Sequence, residues 1–293
     1  MKYSTGVAFR QALGDHIRKL NLESGVPVDR IRKMIAFDRY LDRLLQMYPD
    51  RWVVKGGFAL QLRIGDQART TKDIDLLLRE EGIDIHDSLQ TAGFMDLGDW
   101  FSFEVPPSSG EAFGVPGVSR YNIRAILDGR LFEAFHVDAG IGAPLVGSVD
   151  ILMSTDLLGF AGLKPTQIPC YPVNQQLADK IHAYTKPRAT GDNTRVKDFV
   201  DILLLAELSI IQFDDLAAAI NATFKFEGTH PLPMELPIPP KNWGLSFSRL
   251  TQEVGLGDVT LDEAFQRLQE FINPVLKENP EFTEWIPENW EWK

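Results

Sequence analysis

Two aspartates stand two residues apart in an apolar stretch of the chain, Asp73-Ile-Asp-Leu-Leu-Leu78. In a β-strand, residues i and i+2 face the same side about 6.5 to 7 Å apart, so both carboxylates project together. Their charges repel each other, and a buried strand does not tolerate this repulsion without compensation. Divalent cations would supply the compensation, because Mg²⁺ binds a few carboxylates together with substrate phosphates. The spacing favours a metal site at Asp73 and Asp75, and the alternative is a strand edge with both acids in water.

A pair of glycines, Gly56 and Gly57, lies between a predicted strand and a predicted helix. At such a junction backbone N–H groups can bind an anion, and larger side chains would block its close approach. The alternative is a simple tight turn, which is the commoner use of a lone glycine pair. The sequence contains no G-x-x-x-x-G-K-[ST] phosphate loop, and no G-x-G-x-x-G motif follows a strand.

These two features belong to a longer stretch, residues 55 to 76, that resembles the signature of nucleotidyltransferase-fold proteins. It is most similar to the AbiEii/AbiGii toxin family, in which a Gly-Gly or Gly-Ser turn precedes an Arg-x-Thr/Ser-x-Asp-Ile-Asp-Leu strand. Downstream, Asp138 in Val137-Asp-Ala-Gly140 matches the place of a third carboxylate in such folds. Leu177-Ala-Asp-Lys-Ile-His-Ala183 looks like the family's lysine-bearing helix, and Arg195-Val-Lys-Asp-Phe-Val-Asp-Ile202 looks like its closing motif. The matches span residues 55 to 202 in the expected order.

The resemblance implies an enzyme that transfers a nucleotide from an NTP and releases pyrophosphate. Its implied catalytic residues are Asp73, Asp75, Asp138, Lys180 and Asp198, of which the first three would bind Mg²⁺ or Mn²⁺. Its implied nucleotide-binding residues are Gly56, Gly57, Arg69, Lys180 and Arg195. Gly57 departs from the Gly-Ser relatives, whose serine hydroxyl contacts the triphosphate, so phosphate binding relies more on backbone N–H groups, Lys180 or Arg69.

The resemblance also implies a toxin with a cognate antitoxin, and some relatives add nucleotides to the 3′ end of tRNA. We therefore expect an RNA acceptor, with the tRNA 3′ end as the preferred choice. Two alternatives stay open. One is nucleotidylation of a protein hydroxyl, and the other is a non-catalytic regulatory protein that binds nucleotide.

The helical motif residues also have structural explanations. Lys180 lies three residues after Leu177 and four before Tyr184, so a lysine occupies an apolar helix face. A substrate phosphate would explain its position, and so would a buried partner acid or a side chain that reaches water along the helix. Arg195 and Asp198 are one helical turn apart, which is also the spacing of an ordinary surface ion pair.

The formal net charge of −11 argues against a protein that coats nucleic acid through bulk positive charge. The charges are nevertheless uneven, because residues 1 to 70 contain 13 Lys and Arg against 7 Asp and Glu, and residues 164 to 205 contain 6 against 4. One predicted helix carries five cations: Arg30, Arg32, Lys33, Arg39 and Arg43. We expect these two basic segments to bind RNA phosphates, and the alternative is solvated helix faces.

The element pattern predicts an α/β core between helical flanks. The resemblance implies an α+β protein with a nucleotidyltransferase-like mixed sheet, a helical N-terminal segment and a helical C-terminal domain. Predicted domains are residues 1–50, 51–162 and 163–293. Predicted helices include two separated at Gly25 and Pro27, then 84–92, 174–184, 194–207, 213–226, 247–254 and 261–276. Strands are predicted at 51–55 and 73–78, and a hairpin is predicted to turn at Asp128-Gly129. Residues 229 to 243 contain five prolines and should be extended.

The cysteine and histidine content and the lengths of the apolar runs exclude several classes of protein. Cys170 is the only cysteine, so an internal disulfide is excluded, and the five histidines show no zinc-ligand spacing. No apolar run approaches the length of about 20 residues that spans a membrane. We expect a soluble, cytoplasmic protein without a membrane partner. The C-terminal tryptophans, Trp285, Trp290 and Trp292, are expected to dock on the protein's own helices rather than to clamp a base or a partner.

Overall fold

The computed structural model describes residues 1–80, 82–111, 117–141, 145–188, 193–279 and 281–293. Helices and strands are mixed along the chain, and the predicted α+β class is confirmed. The chain forms two compact units. The first comprises Met1–Gly65, Thr70–Gly142 and Asp150–Cys170, and the second comprises Asp66–Arg69, Ala143–Val149 and Tyr171–Lys293. The three-part domain division expected from the sequence stays a prediction.

The first unit is built on a seven-stranded mixed sheet. Its strands are β1 (Trp52–Lys55), β2 (Asp73–Leu78), β3 (Phe101–Glu104), β4 (Val118–Leu127), β5 (Arg130–Gly140), β6 (Asp150–Met153) and β7 (Gln167–Cys170). Their order in the sheet is β3-β4-β5-β2-β1-β7-β6. Strand β2 pairs with β1 antiparallel and with β5 parallel. The helices of this unit are α1 (Gly6–Ser24), α2 (Val28–Met47), α3 (Gly56–Ile64) and α4 (Ile85–Phe94).

The predicted break between the first two helices is confirmed. Gly25 ends α1 with a left-handed φ of 72°, a conformation that glycine adopts without steric cost. Phe9, Leu13 and Ile17 recur at helical spacing and are buried. They join a core cluster with α2 and the strands, so one face of the sheet is covered by helices.

The predicted hairpin joins β4 to β5. Asp128 and Gly129 have φ angles of 49° and 69°, as a two-residue hairpin turn of type I′ requires. A register shift occurs between Ala125 and Ile126. Because β5 carries Asp138, the hairpin and this shift determine which residue of β4 lies beside that carboxylate.

The expectation that α2 presents a row of cations to RNA is wrong. The side chains of Arg39 and Arg43 are only 2% and 0% exposed. Arg39 binds Asp38, and Arg43 binds Asp99 through hydrogen bonds of 3.0 and 2.5 Å. Arg30 is buried as well. Helix α2 packs against α4 and β5, and the guanidinium groups of Arg39 and Arg43 are compensated by buried acids rather than by water.

The second unit is mainly helical. Its helices are α5 (Val173–Thr185), α6 (Val196–Leu208), α7 (Phe213–Glu227), α8 (Gly244–Glu253) and α9 (Leu261–Leu276). A small sheet of order β10-β9-β8 is formed by β8 (Ile211–Gln212), β9 (Glu284–Ile286) and β10 (Glu291–Trp292). Residues 229 to 240 contain no helix or strand, as the prolines predict, but the last part of the segment that was expected to be extended, Lys241–Trp243, forms a 3-10 helix. None of the described helices combines the length and the hydropathy needed to span a membrane.

The C-terminal tryptophans dock on the helices of this unit, as expected. Their indole N–H groups donate to main-chain oxygens, Trp285 to Ala206, Trp290 to Arg267 and Trp292 to Phe271. Trp285 is fully buried, and its ring contacts the ring of Phe271. A buried indole needs a partner for its N–H, and the helix carbonyls provide one.

Candidate active site

Three carboxylates that the sequence marks as metal ligands lie on one face of the first unit's sheet. Asp73 and Asp75 both belong to β2, which is flanked by β1 and β5. Asp138 on β5 is the register partner of Asp75, and His136 is the register partner of Asp73. Register partners on adjacent strands are about 5 Å apart and face the same side. The β2–β5 pairing therefore brings the three carboxylates and one imidazole together.

The Asp138 carboxylate is bound by a guanidinium group from β4. Arg120 is the register partner of Asp138, with Nε 2.7 Å from Oδ1 and Nη2 2.6 Å from Oδ2. The same Nη2 lies 3.7 Å from Oδ2 of Asp73. The side chain of Asp138 is 6% exposed. Its hydrogen bonds raise the pKa of Arg120, against the lowering effect of burial. This is a bidentate, charge-assisted pair, and it was not predicted.

His136 is a further polar member of this face that sequence analysis did not identify. Its Nδ1 lies 3.1 Å from Oδ1 of Asp73. The spacing of His136 and Asp138 repeats that of Asp73 and Asp75 on the neighbouring strand. Two i, i+2 polar pairs on predicted strands were the signal that could have found it.

Gly56 allows the close approach of β2 to the start of α3. Its φ is 65°, which L-residues with side chains rarely adopt. A Cβ built on Gly56 would also overlap the carboxylate of Asp75. Gly56 begins α3, and the first N–H groups of a helix have no carbonyl partner within that helix. The glycine pair thus places the N-terminal end of a helix beside the carboxylate row, where an anion such as phosphate is stabilised.

The lysine predicted to bind phosphate, Lys180, is buried on α5 in the second unit. Its Nζ lies 2.5 Å from Oδ2 of Asp201 and 3.4 Å from Oδ1 of Asp198. Arg69 binds the same Asp201 carboxylate through hydrogen bonds of 3.0 and 2.9 Å. Burial alone would lower the pKa of Lys180, but Asp201 and Asp198 outweigh it and raise the pKa. A buried partner acid therefore explains the lysine in the apolar stripe, and phosphate binding by Lys180 or Arg69 stays a prediction.

Asp201 is the residue of this cluster to which sequence analysis gave no role. It is 0% exposed, and it lies one helical turn after Asp198 on α6. Burial would raise its pKa, but Lys180 and Arg69 outweigh burial and lower it. Its i, i+3 spacing from Asp198 was the available signal.

Arg195 and Asp198 form the ion pair that their spacing allows. Nη1 of Arg195 lies 3.5 Å from Oδ2 of Asp198, and the Arg195 side chain is 41% exposed. Arg195 is thus more open to a ligand than Lys180, whose side chain is 7% exposed. The predicted site residues consequently form two clusters, a carboxylate and glycine cluster in the first unit and a Lys180 cluster in the second.

The carboxylate cluster has the donor chemistry that suits a hard divalent cation. Carboxylate oxygens are the ligands that Mg²⁺ and Mn²⁺ prefer, and three of them share one face here. As the side chains stand, no group of three His, Cys, Asp or Glu residues within the described part of the chain is gathered closely enough to hold a metal ion. Asp138 instead has both oxygens on Arg120. The three carboxylates suit a divalent metal because they are oxygen ligands on one face of the sheet. In this structure the Arg120 guanidinium balances the charge of Asp138.

The chain is similar to known nucleotidyltransferases in its sequence profile and in its fold. The sequence profile of a family described as nucleotidyl transferase AbiEii toxin, type IV TA system, matches residues 39–285. MenT4, a nucleotidyltransferase toxin from Mycobacterium tuberculosis H37Rv, has a similar structure, with a TM-score of 0.55 at 15% identity over 91% of this chain and 97% of that one. An antigenic nucleotidyltransferase-like protein from Paracoccidioides brasiliensis gives a TM-score of 0.41 at 17% identity, over 66% of this chain and 88% of that one. At this identity the likeness to MenT4 concerns the fold. No curated protein sequence matches the chain.

Proposed function

Because this chain belongs to the AbiEii nucleotidyl transferase toxin family, we propose that it transfers a nucleotide from an NTP to an RNA acceptor and releases pyrophosphate. The acceptor in this proposal is the 3′ end of tRNA. The observation that carries the proposal is the register of β2 and β5, which sets Asp138 directly beside Asp75. Aligned carboxylates beside a helix N-terminus suit a reaction in which phosphate charge must be balanced.

In the proposed reaction, the oxygen of the acceptor hydroxyl bonds to the α-phosphorus as the bond from that phosphorus to pyrophosphate breaks. Asp73, Asp75 and Asp138 would hold Mg²⁺ or Mn²⁺, and such ions, when bound, neutralise phosphate charge and polarise phosphoryl oxygens. The N–H groups of Gly56 and Gly57 at the start of α3 donate to the triphosphate. The proton of the attacking hydroxyl passes to a carboxylate oxygen of Asp138.

The second cluster has a supporting role in this proposal. Arg195 is the first candidate for a phosphate contact there, because its side chain is the most exposed of the three predicted cations. Lys180 lies 2.5 Å from Asp201, so a phosphate that binds Lys180 would compete with this carboxylate for its charge. Asp198 holds both cations near each other through its two oxygens.

The choice of RNA as acceptor rests on the family and not on α2. Arg39 and Arg43 are buried, so the predicted row of five cations is not available to a phosphate backbone. Arg32 and Lys33 each lie within 3.5 Å of the same acid, Glu133. The family is one of type IV toxin–antitoxin systems, and we include a cognate antitoxin and the NTP among the proposed partners.

A labelling experiment tests the acceptor. The purified chain is incubated with each α-³²P-labelled NTP, Mg²⁺, and either total RNA or a protein extract. We expect a labelled product of tRNA size that is destroyed by ribonuclease and survives protease. Label that survives ribonuclease and is destroyed by protease would overturn the RNA proposal in favour of a protein hydroxyl. Absence of label in both fractions with all four NTPs would favour the non-catalytic alternative.

A further inference from the structure

Arg120 lies against the carboxylates that the proposed function assigns to metal binding. Its guanidinium group makes two short hydrogen bonds to Asp138, 2.7 and 2.6 Å, and reaches to 3.7 Å from Asp73. It therefore contacts two of the three carboxylates at once. A positive charge at this point neutralises the same groups that a divalent cation would neutralise.

The backbone fixes this position. Arg120 and Asp138 are register partners on the antiparallel strands β4 and β5, and Asp138 and Asp75 are register partners on β5 and β2. Asp138 thus lies in a row between an arginine on one side and an aspartate on the other. Strand register fixes the backbone of Arg120 directly beside that of Asp138, so the carboxylate lies within reach of the guanidinium.

The pair also satisfies a requirement of burial. The Asp138 side chain is 6% exposed, and a carboxylate so placed is costly without a compensating charge. Because Arg120 donates hydrogen bonds to both oxygens of Asp138, the buried charge is compensated without a metal ion. A metal cation that binds Asp138 must then either displace the Arg120 guanidinium or bind beside it, where the two positive charges repel each other.

We propose that Arg120 is a cationic latch that competes with the divalent metal for Asp138. The latch holds the carboxylate row together before the ion binds and lowers the affinity of the row for the ion. The inference rests on the proposed function, because it takes Asp73, Asp75 and Asp138 as the metal ligands. Arg120 is a positioning residue in this account, since it acts through Asp138.

Arg124 provides a matched control. It lies four residues further along β4, on the same face, about 13 Å from Arg120 at the usual rise of a strand. It carries the same charge but binds Glu104 at 2.7 Å, and both side chains are more than half exposed. Removal of Arg124 changes the net charge of the face equally and leaves Asp138 untouched.

The test is a direct titration with Mn²⁺, without nucleotide or RNA, in which free Mn²⁺ is followed by electron paramagnetic resonance. The chain is compared with Arg120→Gln, Arg120→Lys and Arg124→Gln. We expect Arg120→Gln to bind Mn²⁺ at least about ten-fold more tightly, the scale of one lost charge-assisted hydrogen bond. Arg124→Gln should stay within about two-fold, as a distant screened charge does. Arg120→Lys should lie between them, because it keeps the charge and loses the bidentate contact.

Three results would overturn the latch. Equal Mn²⁺ affinities in Arg120→Gln and Arg124→Gln would show that only the net charge of the face affects the affinity. Weaker Mn²⁺ binding in Arg120→Gln than in the unmodified chain would show that Arg120 assists metal binding. In either case, loss of binding in Asp75→Asn would still support the metal site of the proposed function. Absence of Mn²⁺ binding in every protein, including the unmodified chain, would reject the metal site and the latch together. If Arg120→Gln does not fold, as judged by circular dichroism, the comparison of Arg120→Lys with Arg124→Gln decides.

Discussion

Replacement of Asp201 by asparagine should destabilise the second unit strongly. The variant keeps the size of the side chain and removes the charge that Lys180 and Arg69 share. The carboxylate is 0% exposed and accepts from Lys180 at 2.5 Å and from Arg69 at 3.0 and 2.9 Å. Removing one partner of a buried ion pair costs about 3–5 kcal/mol, because the charges left behind are unpaired. We expect a loss of this size in the free energy of unfolding.

Asp198→Asn is the matched control. Asp198 lies one turn earlier on the same helix, its side chain is 15% exposed, and its contacts to Lys180 and Arg195 are longer, 3.4 and 3.5 Å. Its replacement should cost about 1 kcal/mol or less, as for ordinary partly exposed ion pairs. Urea titrations of the two variants and the unmodified chain, followed by circular dichroism, give the comparison.

The pH dependence adds a second check on Asp201. Its pKa in the folded state is lowered by Lys180 and Arg69 against the opposite effect of burial. A group with a lowered folded pKa stabilises the fold above its unfolded pKa, about 3.9 for Asp, and loses that effect as pH falls further. The difference between the unmodified chain and Asp201→Asn should therefore be constant near neutrality and shrink below about pH 4. A loss under about 1 kcal/mol at pH 7, or a loss equal to that of Asp198→Asn, would show that Asp201 is not the buried counter-charge of Lys180 and Arg69.

Three further results are expected. Gly56→Ala should abolish nucleotide transfer, because a Cβ at this position overlaps the carboxylate of Asp75. Gly65→Ala should keep the activity, since Gly65 has a similar φ of 62° and open space around it. Equal activities of the two variants in transfer assays would contradict this. Arg43→Met should lower the free energy of unfolding by about 3–5 kcal/mol in urea titrations, because the buried Asp99 carboxylate loses its short ion pair with Arg43 and keeps only the longer one, 3.5 Å, with Arg39. A change under about 1 kcal/mol would reject the assignment. Burial lowers the pKa of His182 to about 4, so the melting temperature should fall as pH decreases from about 6.5 toward 4, where the unfolded state binds the proton first; His182→Gln should reduce that fall, and an unchanged pH profile would argue against it.

Much of the fold was predictable because its elements are long and periodic. The apolar stripes predicted the bounds of helices α5, α6, α7 and α9 to within a few residues, and the hairpin turn did the same for β4 and β5. Strand β3 and strands β6 to β10 were missed, and each has only two to four residues. Segments this short carry too few alternations to distinguish a strand from a loop.

The residues that pair across the fold were harder to predict. The charge on α2 suggested a face open to RNA or, alternatively, to water, yet Arg43 is compensated by Asp99, 56 residues later in the chain. Likewise, nothing local to Arg120 indicates that the hairpin register will set it beside Asp138. The i, i+2 spacing of Asp73 and Asp75 was informative by itself, because strand geometry alone determines that they share a face.

Nucleotidyl transfer at the carboxylate row can be tested by the position of the label that is transferred from the NTP. Purified tRNA and Mg²⁺ are incubated with NTPs labelled with ³²P at either the α- or the γ-phosphate, using the unmodified chain, Asp75→Asn and Arg124→Gln. The account predicts that α-label enters RNA and γ-label appears in pyrophosphate. It also predicts that Asp75→Asn loses the transfer by orders of magnitude while Arg124→Gln retains it. Transfer of γ-label to RNA, or a normal rate in Asp75→Asn, would rule out nucleotidyl transfer at these carboxylates.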